Sequence, residues 1–529
     1  MIRSPWRIFL LLLLGLSTTP ANAADEHAGH PVLGTVHFPV TCTPEAQQAF
    51  DQAMKLQHSF WYQAAHDAFS DVLQRDPECV MAYWGIAMTL LTNPFSPPPA
   101  QNLADGWAAL EQARQLDAKS EREADYIAAL AEFYRDADTK DHRTRVLAYE
   151  QAMAQLHARY PDDPEAAIYY ALALNVAALP TDKTYAKQLA AAEILEAELV
   201  RQPDHPGVVH YLIHTYDYPP LAERGLEAAE RYAELAASAP HALHMPSHIF
   251  TRLGLWDRSI ETNRRSAEVA RAGKDMNGEL HARDYMVYAY LQSGRDEAAR
   301  QAIAEAQQFA GTESASAGGP FALAAMPARF AMERGAWAEA ADLTPQPSKF
   351  AFADAVTHFA RAVGLARSGK PEAAAADVEA LQRLADALRA SNAYWAEQVD
   401  IQHTAATAWI AYAEGRRDEA LALMRRAAEI EAGTEKHVIT PGPLAPAREQ
   451  LAEMLLAADR PADALEEFEA VQQAEPNRFR ALAGAGRAAD LAGDPAAAKR
   501  YYGQVVELTA SADTSRPEIA AARAFVAAN

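Results

Sequence analysis

Histidines are the residues of this chain whose type and spacing could do chemistry, and they crowd one stretch: His205, His210, His214, His241, His244, His248 and His281. His210 and His214 are four apart. On a helix that offset puts both rings on one face with Cβ atoms about 5–6 Å apart, a spacing two imidazoles can use to hold one metal ion. His244 and His248 repeat the offset, and His241 and His281 each lie 13 residues before a glycine, Gly254 and Gly294. Neutral imidazole suits Zn²⁺ and Cu²⁺, and Asp217 and Asp284 stand near enough in sequence to ligate or to orient the rings. One expectation is therefore a zinc or copper site drawn from His210, His214, His241, His244, His248 and His281. A second follows from Pro246-Ser247, which start a helix near Met245 and leave His241 and His244 in the preceding turn, so that the second pair does not share a helix face. The free N–H groups of that first turn, with Arg252 and Arg283, suit a carboxylate or phosphate. A third reading makes the histidines a hydrogen-bonded network with Tyr211, Tyr216 and Tyr285.

Positioning such residues needs a regular frame, and the sequence repeats. Asp459 and Gly493, Ala464 and Ala498, Phe468 and Tyr502, and Val471 and Val505 are each 34 residues apart. Gly254, Gly294, Gly335, Gly369 and Gly415 are each followed five residues later by a small residue: Ser259, Ala299, Ala340, Ala374 and Ala420. Asp76-Pro77 and Glu475-Pro476 end their units. The pattern resembles the tetratricopeptide repeat (TPR) family. Two short stretches, Met81 to Met88 and His244 to Phe250, also resemble segments of exported bacterial TPR proteins. The resemblance implies an all-α solenoid of roughly ten or eleven stacked TPR-like helical hairpins, each burying its face against its neighbours. It also implies that the first helix of each pair lines a concave groove, with Tyr211, Arg252, Arg283 and Tyr285 as candidate ligand contacts. Apolar recurrence at three and four residues, as in Leu465, Phe468 and Val471, agrees with helices throughout.

The expected division is a signal peptide over 1–23, an extension over 24–43, a first array with the histidines over 44–310, a flexible connector over 311–320 and a second array over 321–529. The signal peptide rests on Arg3 and Arg7, the short apolar run from Ile8 to Leu16 and Ala21-Asn22-Ala23. Export most plainly suits a bacterial periplasm, with no membrane span once the signal is removed. In that compartment Cys42 and Cys79 are expected to pair. The segment Asn93 to Pro99 cannot be helical and is either a lip carrying Phe95 over the groove or a rigid spacer.

Lys and Arg number 48 against 71 Asp and Glu, a net charge of -23, which disfavours nucleic acid as a partner. No G-x-S-x-G, H-E-x-x-H, P-loop or C-x-x-C motif occurs, so no catalytic residue is assigned. His27 and His30 could hold a metal only loosely. The sequence points first to an exported scaffold that binds a protein, peptide or small ligand in its groove without chemistry of its own. The alternative is a metal-binding protein or metalloenzyme using the histidines between 210 and 281.

Overall fold

The computed structural model describes residue 1, residues 31–116, 118–314 and 316–529. The signal peptide, its Ala21-Asn22-Ala23 site and His27 and His30 lie outside the described residues. Among the described residues the chain is helical without strands, an α-solenoid of antiparallel hairpins that begins with Pro44–His58 against Tyr62–Arg75. It ends with Phe479–Ala492 against Pro495–Leu508 and a closing helix Pro517–Ala528. No described helix is long and apolar enough to cross a membrane.

Local sequence explains where the helices start. Thr43, Ser120, Asp163, Asp275, Asn392 and Asp494 each accept a backbone N–H of the first turn. Proline opens many helices, among them those at Pro44, Pro164, Pro206 and Pro461, where its missing N–H leaves nothing unpaired. The two helices of a pair differ in how much they bury. Outer helices bury a stripe: Ala65, Phe69 and Val72 in one, Ala464, Phe468 and Val471 in another. Inner helices such as Pro164–Ala177 and Pro206–Tyr216 are buried nearly all round, packed on both sides by neighbouring pairs.

One large apolar core runs through residues 33–255 and a second through 317–526, joined by smaller clusters around Leu280 and Trp256. The segment expected as a flexible connector is tied down. Ser314 Oγ donates to Asn277 Oδ1 at 2.9 Å, and a helix already begins at Gly318. Its φ-positive glycines aside, the chain also closes on itself over long range. Trp256 Nε1 donates to Asn477 O at 2.9 Å, and a Cβ at Gly254, whose φ is +65°, would strike the carbonyl of Pro476. Arg516 pairs with Asp296, and Phe479 N donates to Gln292 Oε1 at 2.9 Å. Residues 31–43 run extended against the first array, burying Leu33, Val36 and Phe38. Cys42 and Cys79 are joined there as a disulfide, Cα to Cα 5.0 Å.

Candidate metal centre

Helix Pro206–Tyr216, capped by His205, which accepts from Val208 N, carries His210 and His214 on one face, their ring centroids 4.9 Å apart. The next pair starts with Pro240–His244, and Met245 stays helical before Pro246–Arg252 continues. The expected turn before Met245 is thus a helix. Pro246 removes one N–H without stopping the winding, because His248 N donates to Met245 O at 3.1 Å in a tighter turn. His244 and His248 consequently face each other across one turn, contrary to the sequence expectation. His281 comes from the first turns of helix Met276–Gln292.

The six rings gather in one patch, as expected, and within it they sort into two triads. His210, His214 and His241 offer ligand atoms within 4.8 Å of one another, and His244, His248 and His281 do the same. Four of the rings are buried, while His241 and His281, one in each triad, are half-buried.

The second nitrogen of a ring decides which atom faces the site. His210 Nδ1 lies 2.7 Å from the carbonyl of His58, which can only accept. His248 Nδ1 lies 2.8 Å from Asp217 Oδ2. His244 Nδ1 lies 2.6 Å from Asn263 Oδ1, and that amide is oriented because its Nδ2 donates to Ser259 O. Each of these rings therefore keeps its hydrogen on Nδ1 and turns a lone pair on Nε2 inward. In the second triad the result is His244 Nε2 and His248 Nε2 only 3.0 Å apart. In the first, His210 Nε2, both nitrogens of His214 and His241 Nε2 are buried with no hydrogen-bond partner. Burial, and then crowding by neighbouring rings, holds His210, His214, His241, His244 and His281 well below the ordinary imidazole range, so the rings are neutral.

Asp217 orients His248 and also accepts from Arg252 Nε at 2.8 Å and Lys436 Nζ at 3.1 Å. Burial opposes its ionisation, but Lys436, Arg252 and His248 hold it well below the usual carboxylate range. Asp284, expected beside it, turns instead to Arg329 at 3.2 Å, and burial pushes its carboxyl up to about 6.

Of the four groove candidates, Arg252 lines a cavity of about 250 Å³ together with Lys183, Arg329, Glu435 and Lys436, and the other three are buried. Tyr211 and Tyr285 are fully buried, Tyr211 bonding His58 Nδ1 at 3.0 Å and Tyr285 donating to Thr440 O at 3.1 Å. Arg283 is buried against Glu279 and Glu305, and Arg252 is held by Asp217. Later chain covers Tyr285 through Thr440, whereas Tyr211 is closed off by His58 and Arg283 by Glu279 and Glu305. Two further walls were not legible as such. Phe60, at φ +53°, packs its ring 4.4 Å from His210 and 5.5 Å from His241. Residues 433–446 cross over from the second array, where Lys436 reaches Asp217 and Glu435 reaches Lys183. Phe95 of the proline-rich loop lies 4.7 Å from His214.

A third cluster, His58, Glu165 and His205, has a metal-like spacing. It is already complete: both rings hydrogen-bond Glu165 through Nε2 at 3.0 Å, His58 Nδ1 bonds Tyr211, and His205 Nδ1 accepts from Val208 N. Protons fill it, and its part in the site is to place the His58 carbonyl under His210.

No family model matches the chain, and no curated protein matches it. Among solved structures it is similar to a human IFIT1 dimer with m7Gppp-AAAA, at 12% identity over 90% of this chain and 92% of that chain, with a TM-score of 0.37. It is similar also to a human IFIT1 dimer with PPP-AAAA, at 12% identity over 87% of this chain and 89% of that chain, with a TM-score of 0.37.

Proposed function

We propose that this chain binds transition-metal ions, zinc or copper, through its two histidine triads, the solenoid serving to assemble and enclose them. The observation that carries the reading is the 3.0 Å approach of His244 Nε2 to His248 Nε2, with both Nδ1 hydrogens committed elsewhere. Two lone pairs so placed repel, and a buried polar group without a partner is costly. A cation facing both removes that cost. The acceptors behind the rings, a carbonyl, an oriented amide and a carboxylate, are the outer partners that metal-bound histidines use.

A peptide-binding scaffold draws less support here, because Tyr211, Arg283 and Tyr285 are buried and Arg252 is paired. Export to an oxidising compartment belongs to the same proposal and is favoured by the bonded Cys42 and Cys79.

The test is metal content by mass spectrometry of the full chain after exposure to Zn²⁺ or Cu²⁺ and desalting, beside His214→Ala and His248→Ala. Retained metal in the parent chain, reduced in each variant, is the expected result. A parent chain that keeps neither metal overturns the reading.

A further inference from the structure

Resting on that reading, we infer that the two triads form one dinuclear copper site, whose two ions lie close enough to share a bridging ligand, and not two independent sites.

Proximity is the first argument. Within the triads the ring centroids lie between 4.3 Å, for His244 and His281, and 6.4 Å, for His248 and His281. Across the divide, His214 and His248 are 6.1 Å apart, and His241 and His244 are 6.0 Å apart. The nearest rings of different triads are thus slightly closer than the widest pair within each triad, at 6.3 and 6.4 Å. With metal–nitrogen bonds of about 2.0–2.1 Å, ions held by such rings fall into the range of paired-metal sites, about 3.5–4 Å.

Charge and ligand number choose the metal. Six neutral imidazoles bring no negative charge, Asp217 is already shared by Arg252 and Lys436, and Asp284, whose Oδ1 pairs with Arg329, belongs to neither triad. Two zinc ions would place four positive charges in a buried site, whereas two cuprous ions place two, and the Coulomb energy of close charges is large where water is excluded. Zinc also asks for a fourth ligand. Each triad supplies three nitrogens, a number that monovalent copper accepts without another. For divalent ions the order of affinities at nitrogen sites likewise puts copper above zinc.

The walls set the size of whatever bridges. Phe60 and Phe95 close the first triad, and Tyr285 Oη stands 3.5 Å from each nitrogen of His248 over the second. With aromatic side chains this close to the rings, the bridge inferred is a small one, of the size of a water-derived oxygen or a diatomic molecule.

The experiment loads the full chain with Cu(I) without air, desalts it, counts copper per chain, and then oxidises it with ferricyanide, each cuprous ion giving up one electron. The spin count of the cupric form by electron paramagnetic resonance is the readout. Expected are two coppers per chain with well under half of the corresponding spins, because a shared bridge couples them. Two coppers with two full spins overturn the dinuclear site and leave metal binding standing, and one copper per chain does the same. Neither copper nor zinc bound overturns both readings. His214→Ala and His281→Ala, each removing a ligand from a different triad, are expected to keep one copper that gives one full spin. The spin count of the parent chain decides the question even if a variant does not fold.

Discussion

Asp217 and Asp284 are both buried carboxylates beside the histidines, yet they answer to different partners, and one pair of substitutions separates their roles. Asp217 fixes His248 Nδ1, so Asp217→Asn is expected to weaken metal binding by about 10–100-fold, the usual effect of losing an outer partner of a ligand. Asp284→Asn, which disturbs only the contact with Arg329, is expected to leave affinity unchanged while lowering thermal stability. Competition against a chromophoric chelator measures both, and equal losses would sink the distinction. At this scale the grouping of the histidines was legible in sequence, since the offset of four residues between His210 and His214 is local. What it hid is what stands behind the rings: the His58 carbonyl comes from the first pair and Asn263 from the facing helix of the same pair as His244, and no spacing announces them.

At the scale of elements, the covers matter most. Phe95 sits on a loop fixed by its own turn, its N–H donating to Asn93 Oδ1 at 3.0 Å, and it presses on His214. Phe95→Ala is expected to speed loss of metal to a chelator several-fold while changing equilibrium affinity much less, as stopped-flow and titration together would record. Proline spacing marked that segment as a loop from sequence alone. Residues 433–446 carry the same signal at Pro441, Pro443 and Pro446, but nothing in it says where the loop goes, because its partners lie some 150–250 residues earlier. Where this segment rejoins the array, Glu431 accepts from Ala447 N at 2.7 Å, and burial pushes its carboxyl up to about 8. The folded chain then holds a proton that the unfolded chain releases above the ordinary value of 4.5, so this group's contribution is complete below that pH and is lost as pH rises toward 8. Glu431→Gln, neutral at every pH, is expected to gain stability relative to the parent between pH 5 and 8 and no further above that. Thermal melts across that range check it, and a constant difference would contradict it.

For the whole molecule, Arg478 is the tie. It is fully buried, pairs with Glu449 and Glu333 at 2.7 Å each and donates to Tyr288 Oη at 3.1 Å, linking helices far apart in sequence. Arg478→Ala strips two buried carboxylates of their main partner, with Glu449 keeping only Arg480 at 3.7 Å, and a loss of about 3–5 kcal/mol is expected in denaturant unfolding. Periodicity made the hairpins and their stripes legible, down to Ala464, Phe468 and Val471. The closure of the array on itself was not, because a repeat records what touches the next unit and is silent about the fifth. Gly254 is the instructive residue: it reads as an ordinary turn glycine, and its lack of a side chain also lets the carbonyl of Pro476 approach.

The late covering segment also has a consequence in time. Synthesis runs from the N-terminus, so all six imidazoles exist once His281 has been made, while Lys436 and Thr440, which seal the second triad, follow more than 150 residues later. During that interval the cradle is assembled and unroofed. On the proposed reading, an ion captured then would be locked in as the chain is completed, whereas one arriving afterwards would wait on a local opening. A metal-holding chain so built would grip its ion tenaciously and still take it up slowly, its cargo decided by what the nascent chain met first.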